Sequence, residues 1–261
     1  MYHRPPMTRL LPLLIVPILA SCAHRLDFGA YGRIEDPGVI LRVIRERWER
    51  VHGLAAEGKI GLDSPSGSGT LRMAAEVRKP ASVYLETRDF LGIARGTFVT
   101  DGETYAFYRP EENEFHTGPA TAEELGRYLP LALPPEQLAG AMLGEVPLLE
   151  TENLRMTVLE DEGAYEILLR QGRVSQRVRV GTRDLRLVSI QTRGIPSVDV
   201  ACSDHEAFAE DLPFPTTIEL SVPAQRTNVK LRYTKPTLNP PYDPSNFILR
   251  PPPGAKIMES G

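Results

Sequence analysis

The chain has 261 residues, 41% of them hydrophobic, enough to bury one sizeable core. Charged residues make up 25% and the net charge is −4. That balance excludes a disordered acidic chain and offers no basic stripe for a phosphate backbone, so no nucleic-acid partner is expected.

The first 21 residues read as an export signal. Arg4 and Arg9 give a positive start, Leu10 to Ala20 is apolar, and Ala20-Ser21 supplies small residues for cleavage. The apolar run is shorter than the roughly 20 residues that span a bilayer, and Pro12 and Pro17 interrupt it. It stops at Cys22, one of only two cysteines. An exported protein with two cysteines commonly pairs them. Leu19-Ala20-Ser21-Cys22 instead resembles a bacterial lipobox, whose cysteine is acylated with palmitate-type chains and heads the mature protein. Several acyl chains anchor a protein stably where one does not, and lipidation of Cys22 leaves Cys202 alone. Loss of Arg4 and Arg9 leaves 28 basic and 34 acidic residues, a net −6, so the expected membrane attachment is through lipid rather than charge. Ala23 follows the cysteine; the resemblance to lipoproteins lacking aspartate there implies the outer membrane. Residues 22–35 are read as the lipidated cysteine and a polar tether.

Asp36-Pro37 predicts a helix start, with Asp as N-cap and Pro at the first position. Val39, Ile40, Val43, Ile44, Trp48 and Val51 follow as one apolar stripe ending near Gly53. Leu54 to Leu62 and Thr70 to Arg78 predict strands joined by the turn-rich DSPSGSG, and ASVYLETR alternates as a third. GTFVTDGETYAFYRP predicts a hairpin with Asp101-Gly102 at its tip, extended by EENEFHTGP. A helical segment is expected from Thr121 to Gly144, capped by Thr121 and Glu124 and broken by Pro130, Pro134 and Pro135. Strands are then predicted at Asn153 to Leu159, Tyr165 to Arg170, Ser175 to Val180, Leu185 to Gln191, Thr216 to Val222 and Val229 to Thr234. The expected fold is mainly β with a few helices (α+β): about eleven strands in a single curved antiparallel sheet, a half-barrel closed by helices. Residues 36–235 form that domain. A Pro-rich tail, 236–261, is expected to wrap an edge as extended chain.

Catalytic signals are poor, and no enzyme is expected. There is no nucleophile elbow, phosphate loop or dinucleotide fingerprint. SGSGT is read as a hairpin turn. His24, His52, His116 and His205 lack metal-ligand spacing, and Ser203 to Glu206 (SDHE) is read as a polar loop. No metal and no cofactor are predicted. The stretch that stands out is apolar: RDFLGIARG places Phe90, Leu91 and Ile93 in a short link between strands. On pattern alone, burial over the end of the domain is favoured over exposure for contact.

FLG, a strand, DGETYAFYRPEENEFHTGPATAEEL and LPLALPPEQLAGAMLGEVP follow one another in an order similar to the outer-membrane lipoprotein receptors of the LolA/LolB-like lipoprotein-localisation family. Leu143-Gly144-Glu145-Val146-Pro147 matches that family's helix end with one extra residue, and the resemblance covers roughly Asp36 to Pro147. It implies an apolar cavity that accepts acyl chains of lipoproteins from a LolA-like periplasmic carrier and passes them to the outer membrane. By position it gives Phe90, Leu91 and Ile93 the role of a membrane-insertion loop, which reverses the pattern-based preference for burial. Strand alternation makes Val83, Leu85, Phe98, Tyr105 and Phe107 candidate cavity walls, with Trp48, Leu138 and Met142 from the helices; ordinary core packing is the competing account for each. The expected function is that of a monomeric lipoprotein carrying acyl chains at the periplasmic face of the outer membrane. The alternative is an envelope lipoprotein that docks a protein partner through a sheet edge or the tail, with its cavity filled by side chains.

Overall fold

A computed structural model describes residues 26–65, 67–194, 199–209 and 212–259. Cys22 and the expected export signal lie outside the described residues. Among the described residues, three α-helices, α1 (Pro37–Arg50), α2 (Ala122–Leu125) and α3 (Pro135–Met142), accompany fourteen strands. The first six strands are β1 (Gly53–Ser64), β2 (Gly67–Arg78), β3 (Ser82–Arg88), β4 (Ala94–Thr100), β5 (Thr104–Arg109) and β6 (Glu114–Pro119). After the helices come β7 (Leu154–Leu159), β8 (Ala164–Gln171), β9 (Val174–Gly181), β10 (Leu187–Arg193) and β11 (Asp199–Ala209). The last are β12 (Leu212–Val222), β13 (Thr227–Leu238) and β14 (Lys256–Glu259).

All fourteen form one curved, unclosed sheet in the order β14-β6-β5-β4-β3-β2-β1-β13-β12-β11-β10-β9-β8-β7. Every pairing is antiparallel except β14 with β6. The expected half-barrel is therefore the observed fold, with two strands, β11 and β14, beyond those anticipated. Of these, β11 contains the SDHE stretch expected as a loop. Its Asp204 adopts φ 52°, yet Ser203 pairs with Thr217 and His205 with Pro215, so neighbouring β12 carries the chain through as strand.

Alternation fixes which face is buried. Val229, Leu231 and Tyr233 on β13, and Ile218, Leu220 and Val222 on β12, point into the concave side, where the helices lie. Asp36 caps α1 by accepting from the Gly38 N–H at 2.8 Å, and the helix buries Ile40, Leu41 and Ile44. Arg47, also buried, donates to the carbonyls of Leu185 (2.7 Å) and Asp184 (2.8 Å), pinning α1 to the β9–β10 turn. Thr121 Oγ1 accepts from the Glu124 N–H at 3.2 Å, as its spacing suggests, but α2 is one turn long and a non-helical link reaches α3. The prolines there break the helical segment more completely than expected. Tyr233 donates to the Met142 carbonyl at 2.6 Å and fixes the end of α3 to β13.

Two segments outside this core are also placed. The tail crosses the convex face, where Leu249 and Ala255 cover Val99, Ala106 and Phe115, before adding β14 beside β6. Residues 27–34, part of the polar tether expected at 22–35, lie against the β8 and β9 ends, with the Ile34 N–H donating to Tyr165 Oη at 2.9 Å.

Candidate functional site

Antiparallel pairing gives the sheet two rims. Call the upper rim the one holding the β1–β2 hairpin; the β3–β4, β5–β6, β8–β9 and β12–β13 connections share it. The helices fill the concavity toward the lower rim, where α1 ends and the chain enters β1. Near the upper rim the first half of the sheet leaves a cleft of 520 Å³. Ile60, Leu62, Leu71, Leu85, Phe98 and Phe107 form its apolar floor, and Tyr128, Leu129 and Pro130, from the link between α2 and α3, form the opposite wall. The volume falls in the range of about 300–1,000 Å³ typical of small-molecule sites. Gly67, Ser68, Gly69 and Thr70, at the start of β2, complete the lining with Thr87, Arg95 and Gly96, so the cleft runs to the base of the β3–β4 loop.

That loop is apolar, exposed and held from below. Phe90 is 79% exposed, Leu91 69% and Ile93 55%. The burial favoured by pattern alone does not occur, because among the described residues no other element covers this part of the rim. Asp89, buried at the loop's foot, organises it. Its Oδ1 accepts from the N–H groups of Leu91 and Ile93, each at 2.9 Å, and its Oδ2 accepts from Arg95 at 2.8 Å. Gly92 takes φ 84°, a conformation suited to glycine, and donates to the Asp89 carbonyl at 3.1 Å. Burial works to raise the Asp89 carboxyl, but the Ile93 N–H, the Arg95 guanidinium and the Leu91 N–H together hold it below its ordinary value. The loop thus presents three hydrophobes on a charged, hydrogen-bonded base.

Of the residues expected to line a cavity, Leu85, Phe98 and Phe107 meet in this cleft. Trp48 lies apart, on a void of 40 Å³ beneath α1. Val83, Tyr105 and Met142 are buried in the continuous core, and Leu138 is half-buried against it. Sequence reasoning missed Ile60, Leu62 and Leu71, although they occupy alternating positions on β1 and β2, and it missed Tyr128 and Leu129. Tyr128 is set by an aromatic cluster: its hydroxyl lies 3.1 Å from His116 Nδ1, and its ring centroid lies 5.2 Å from that of Phe107 and 5.5 Å from that of Tyr105. Among the described residues, no group of three or more His, Cys, Asp or Glu side chains could hold a metal ion.

Near the lower rim, Lys79 Nζ lies 2.5 Å from Glu145 Oε1 and donates to the Trp48 carbonyl at 2.6 Å. Burial pushes the Glu145 carboxyl up to about 7, against the opposing pull of the Lys79 ammonium. Burial likewise pushes the Cys202 thiol up to about 12. The arrangement there ties α1, the β2–β3 turn and the end of α3 together, far from the cleft.

No protein-family model matches the chain, and no curated protein matches it. Solved structures do resemble it. A domain designated an outer membrane lipoprotein-sorting protein, from Vibrio parahaemolyticus, superposes with a TM-score of 0.50 at 12% identity, covering 79% of this chain and 95% of that one. A DUF1329 family protein from Desulfovibrio piger gives 0.51 at 10% identity, covering 81% and 95%. A LolA superfamily protein from Nitrosomonas europaea gives 0.46 at 10% identity, covering 81% and 97%. The chain therefore shares the fold of the Vibrio parahaemolyticus and Desulfovibrio piger structures.

Proposed function

We propose that this protein is a lipid-anchored acyl-chain carrier of the bacterial envelope. On this reading it seats acyl chains of lipoproteins in the rim cleft and uses Phe90, Leu91 and Ile93 to pass them into the outer membrane. The observation that carries the reading is the continuity of an apolar cleft with an exposed apolar loop on one rim. Burying each methylene is worth about 0.8 kcal/mol, so ten methylenes in the cleft are worth roughly 8 kcal/mol and compete with a soluble carrier without nucleotide hydrolysis. Cys22 supplies the anchor and a LolA-like periplasmic protein the cargo. The fold shared with a lipoprotein-sorting domain supports this assignment, and the cleft has an apolar floor and an apolar facing wall, with Ser68, Thr70, Thr87 and Arg95 at its margin, as seating an acyl chain requires.

Mass spectrometry of residues 23–261 purified without detergent tests the carrier reading. Bound acyl chains or lipopeptide near one per protein are expected. A ligand-free protein that also refuses added lipopeptide would sink it. One observation favours the docking alternative: β14, at the sheet edge, exposes Ile257 and Met258. Deletion of 256–261 that leaves lipopeptide binding intact but abolishes function in cells would support that second reading.

A further inference from the structure

The segment Asp27–Ile34 is seated on the rim opposite the apolar loop. Thr182 Oγ1, in the β9–β10 turn, donates to the Asp27 carbonyl at 2.7 Å, and the Asp27 carboxylate lies 3.3 Å from Arg183 Nε. The Phe28 and Tyr165 ring centroids are 6.1 Å apart, and Ile34 bonds Tyr165 as described. Gly29, at φ 53°, presses so closely on the same turn that a Cβ there would stand 1.9 Å from the Arg183 carbonyl oxygen. This is a built contact. It is also a light one, since Phe28 and Ile34 are only half-buried and the residues between them are exposed.

Registers place the contact and the loop at opposite ends. Tyr165 and Thr182 stand where β8 begins and β9 ends, on the lower rim, whereas Arg88 and Ala94 close β3 and β4 on the upper one. The sheet is about 20 Å tall along β3 and about 40 Å along β1, at 3.3 Å per residue. Five residue steps separate Cys22 from Asp27, and they reach at most about 18 Å. For Phe90 and Leu91 to point into a bilayer, the upper rim must face it. The lower rim then stands too far away for a seated Cys22 to reach the same bilayer. Laid on its side, the molecule would hold the loop parallel to the membrane surface rather than into it. With the segment lifted off, fourteen steps run from Cys22 to Asp36 and span up to about 50 Å, enough to bring loop and anchor to one membrane.

We propose that Asp27–Ile34 is a latch: seated, it turns the loop-bearing rim away from the membrane that holds Cys22, and released, it lets the loop enter that membrane. The proposal rests on the lipid-anchored carrier reading and adds an order to it. Cargo is received with the rim facing the aqueous phase and delivered after the latch opens.

The test uses the full lipidated chain in vesicles, with Ile93→Cys carrying an environment-sensitive dye. Gly29→Val unseats the segment through the clash with Arg183 and should raise the membrane-inserted dye fraction about tenfold, equivalent to a latch worth about 1.4 kcal/mol. Asp27→Cys with Arg183→Cys, oxidised to a disulfide, should hold the dye in water until reductant restores insertion. Equal insertion by the locked, wild-type and Gly29→Val proteins overturns the latch. A Cys22→Ala form added to plain vesicles separates the two failures: free of its anchor, it can turn either rim to the bilayer. Insertion there with no latch effect in the lipidated forms refutes the latch alone, and no insertion in any form refutes the membrane-loop reading beneath it.

Discussion

Replacing Phe90 and Leu91 together by serine isolates the proposed membrane contact from the rest of the molecule. The two side chains are 79% and 69% exposed, so they contribute little to the core. Unfolding midpoints should move by no more than about 0.5 kcal/mol, the usual range for exposed positions. Fully burying a phenylalanine or leucine is worth about 1.5–3 kcal/mol; scaled by exposure, the pair contributes about 3 kcal/mol on entering hydrocarbon. That corresponds to a partition coefficient lowered more than about a hundredfold. Vesicle flotation of the Cys22→Ala protein, with and without the double substitution, measures it directly. Because the tip carries no net cationic cluster beyond Arg88 and Arg95, both already paired with carboxylates, the loss should persist on vesicles of neutral and anionic lipid alike. An unchanged partition coefficient in a protein of unchanged stability would refute the assignment of this loop to the membrane.

The foot of the loop should respond to acid. Asp89 lies below its ordinary value of 3.8 when folded, so its contribution is complete above that value and is lost as pH falls through the still lower folded value; hydrogen exchange at the Leu91 and Ile93 amides should accelerate in that window, and Asp89→Ala should show the fast rate at every pH. Glu145 has the opposite sign. Its folded value of about 7 exceeds the ordinary 4.5, so stability should fall by about 3 kcal/mol as pH rises from 4.5 through 7. Urea midpoints that do not decline over that range, or that decline equally in Glu145→Gln, would contradict it. Leu85→Trp should fill part of the cleft; excluding two or three methylenes weakens acyl-chain binding by about 2 kcal/mol, roughly 30-fold, which titration with a fluorescent fatty acid would detect.

Much of the sheet was legible because its strands alternate over one wet and one buried face. Thr216 to Val222 and Val229 to Thr234 are found where that pattern puts them. β11 was not, since DVACSDHEAFA mixes small and charged residues and its strand character comes from pairing with β12. β14 carries only exposed side chains, and its parallel pairing depends on a tail path that no local pattern encodes. The fate of Phe90, Leu91 and Ile93 turned on the same limit. Their apolar character is local, but their exposure depends on whether another element covers the upper rim. Asp89 left a local trace, an acid immediately before the apolar tip with Arg95 six residues on, suited to capping the loop's own N–H groups.

The cleft itself follows from a mismatch of lengths. α3 spans about 12 Å at 1.5 Å per residue, and α2 is a single turn, whereas β1 and β2 each run for about 40 Å. Helices this short cover the concave face only toward the lower rim, where Leu125, Ala139 and Met142 are buried. Above them, concave positions such as Ile60, Leu62, Leu71 and Leu85 keep the apolar character of the strand pattern but have no helix to meet. The prolines at 130, 134 and 135 maintain that shortfall by stopping helical cover, and the Tyr128–Pro130 wall closes one side of the gap without filling it. A fold that served only its own stability would gain by longer helices there. On the proposed carrier reading, the apolar floor left unpaired beside an exposed apolar loop is the surface that meets hydrocarbon from outside the chain.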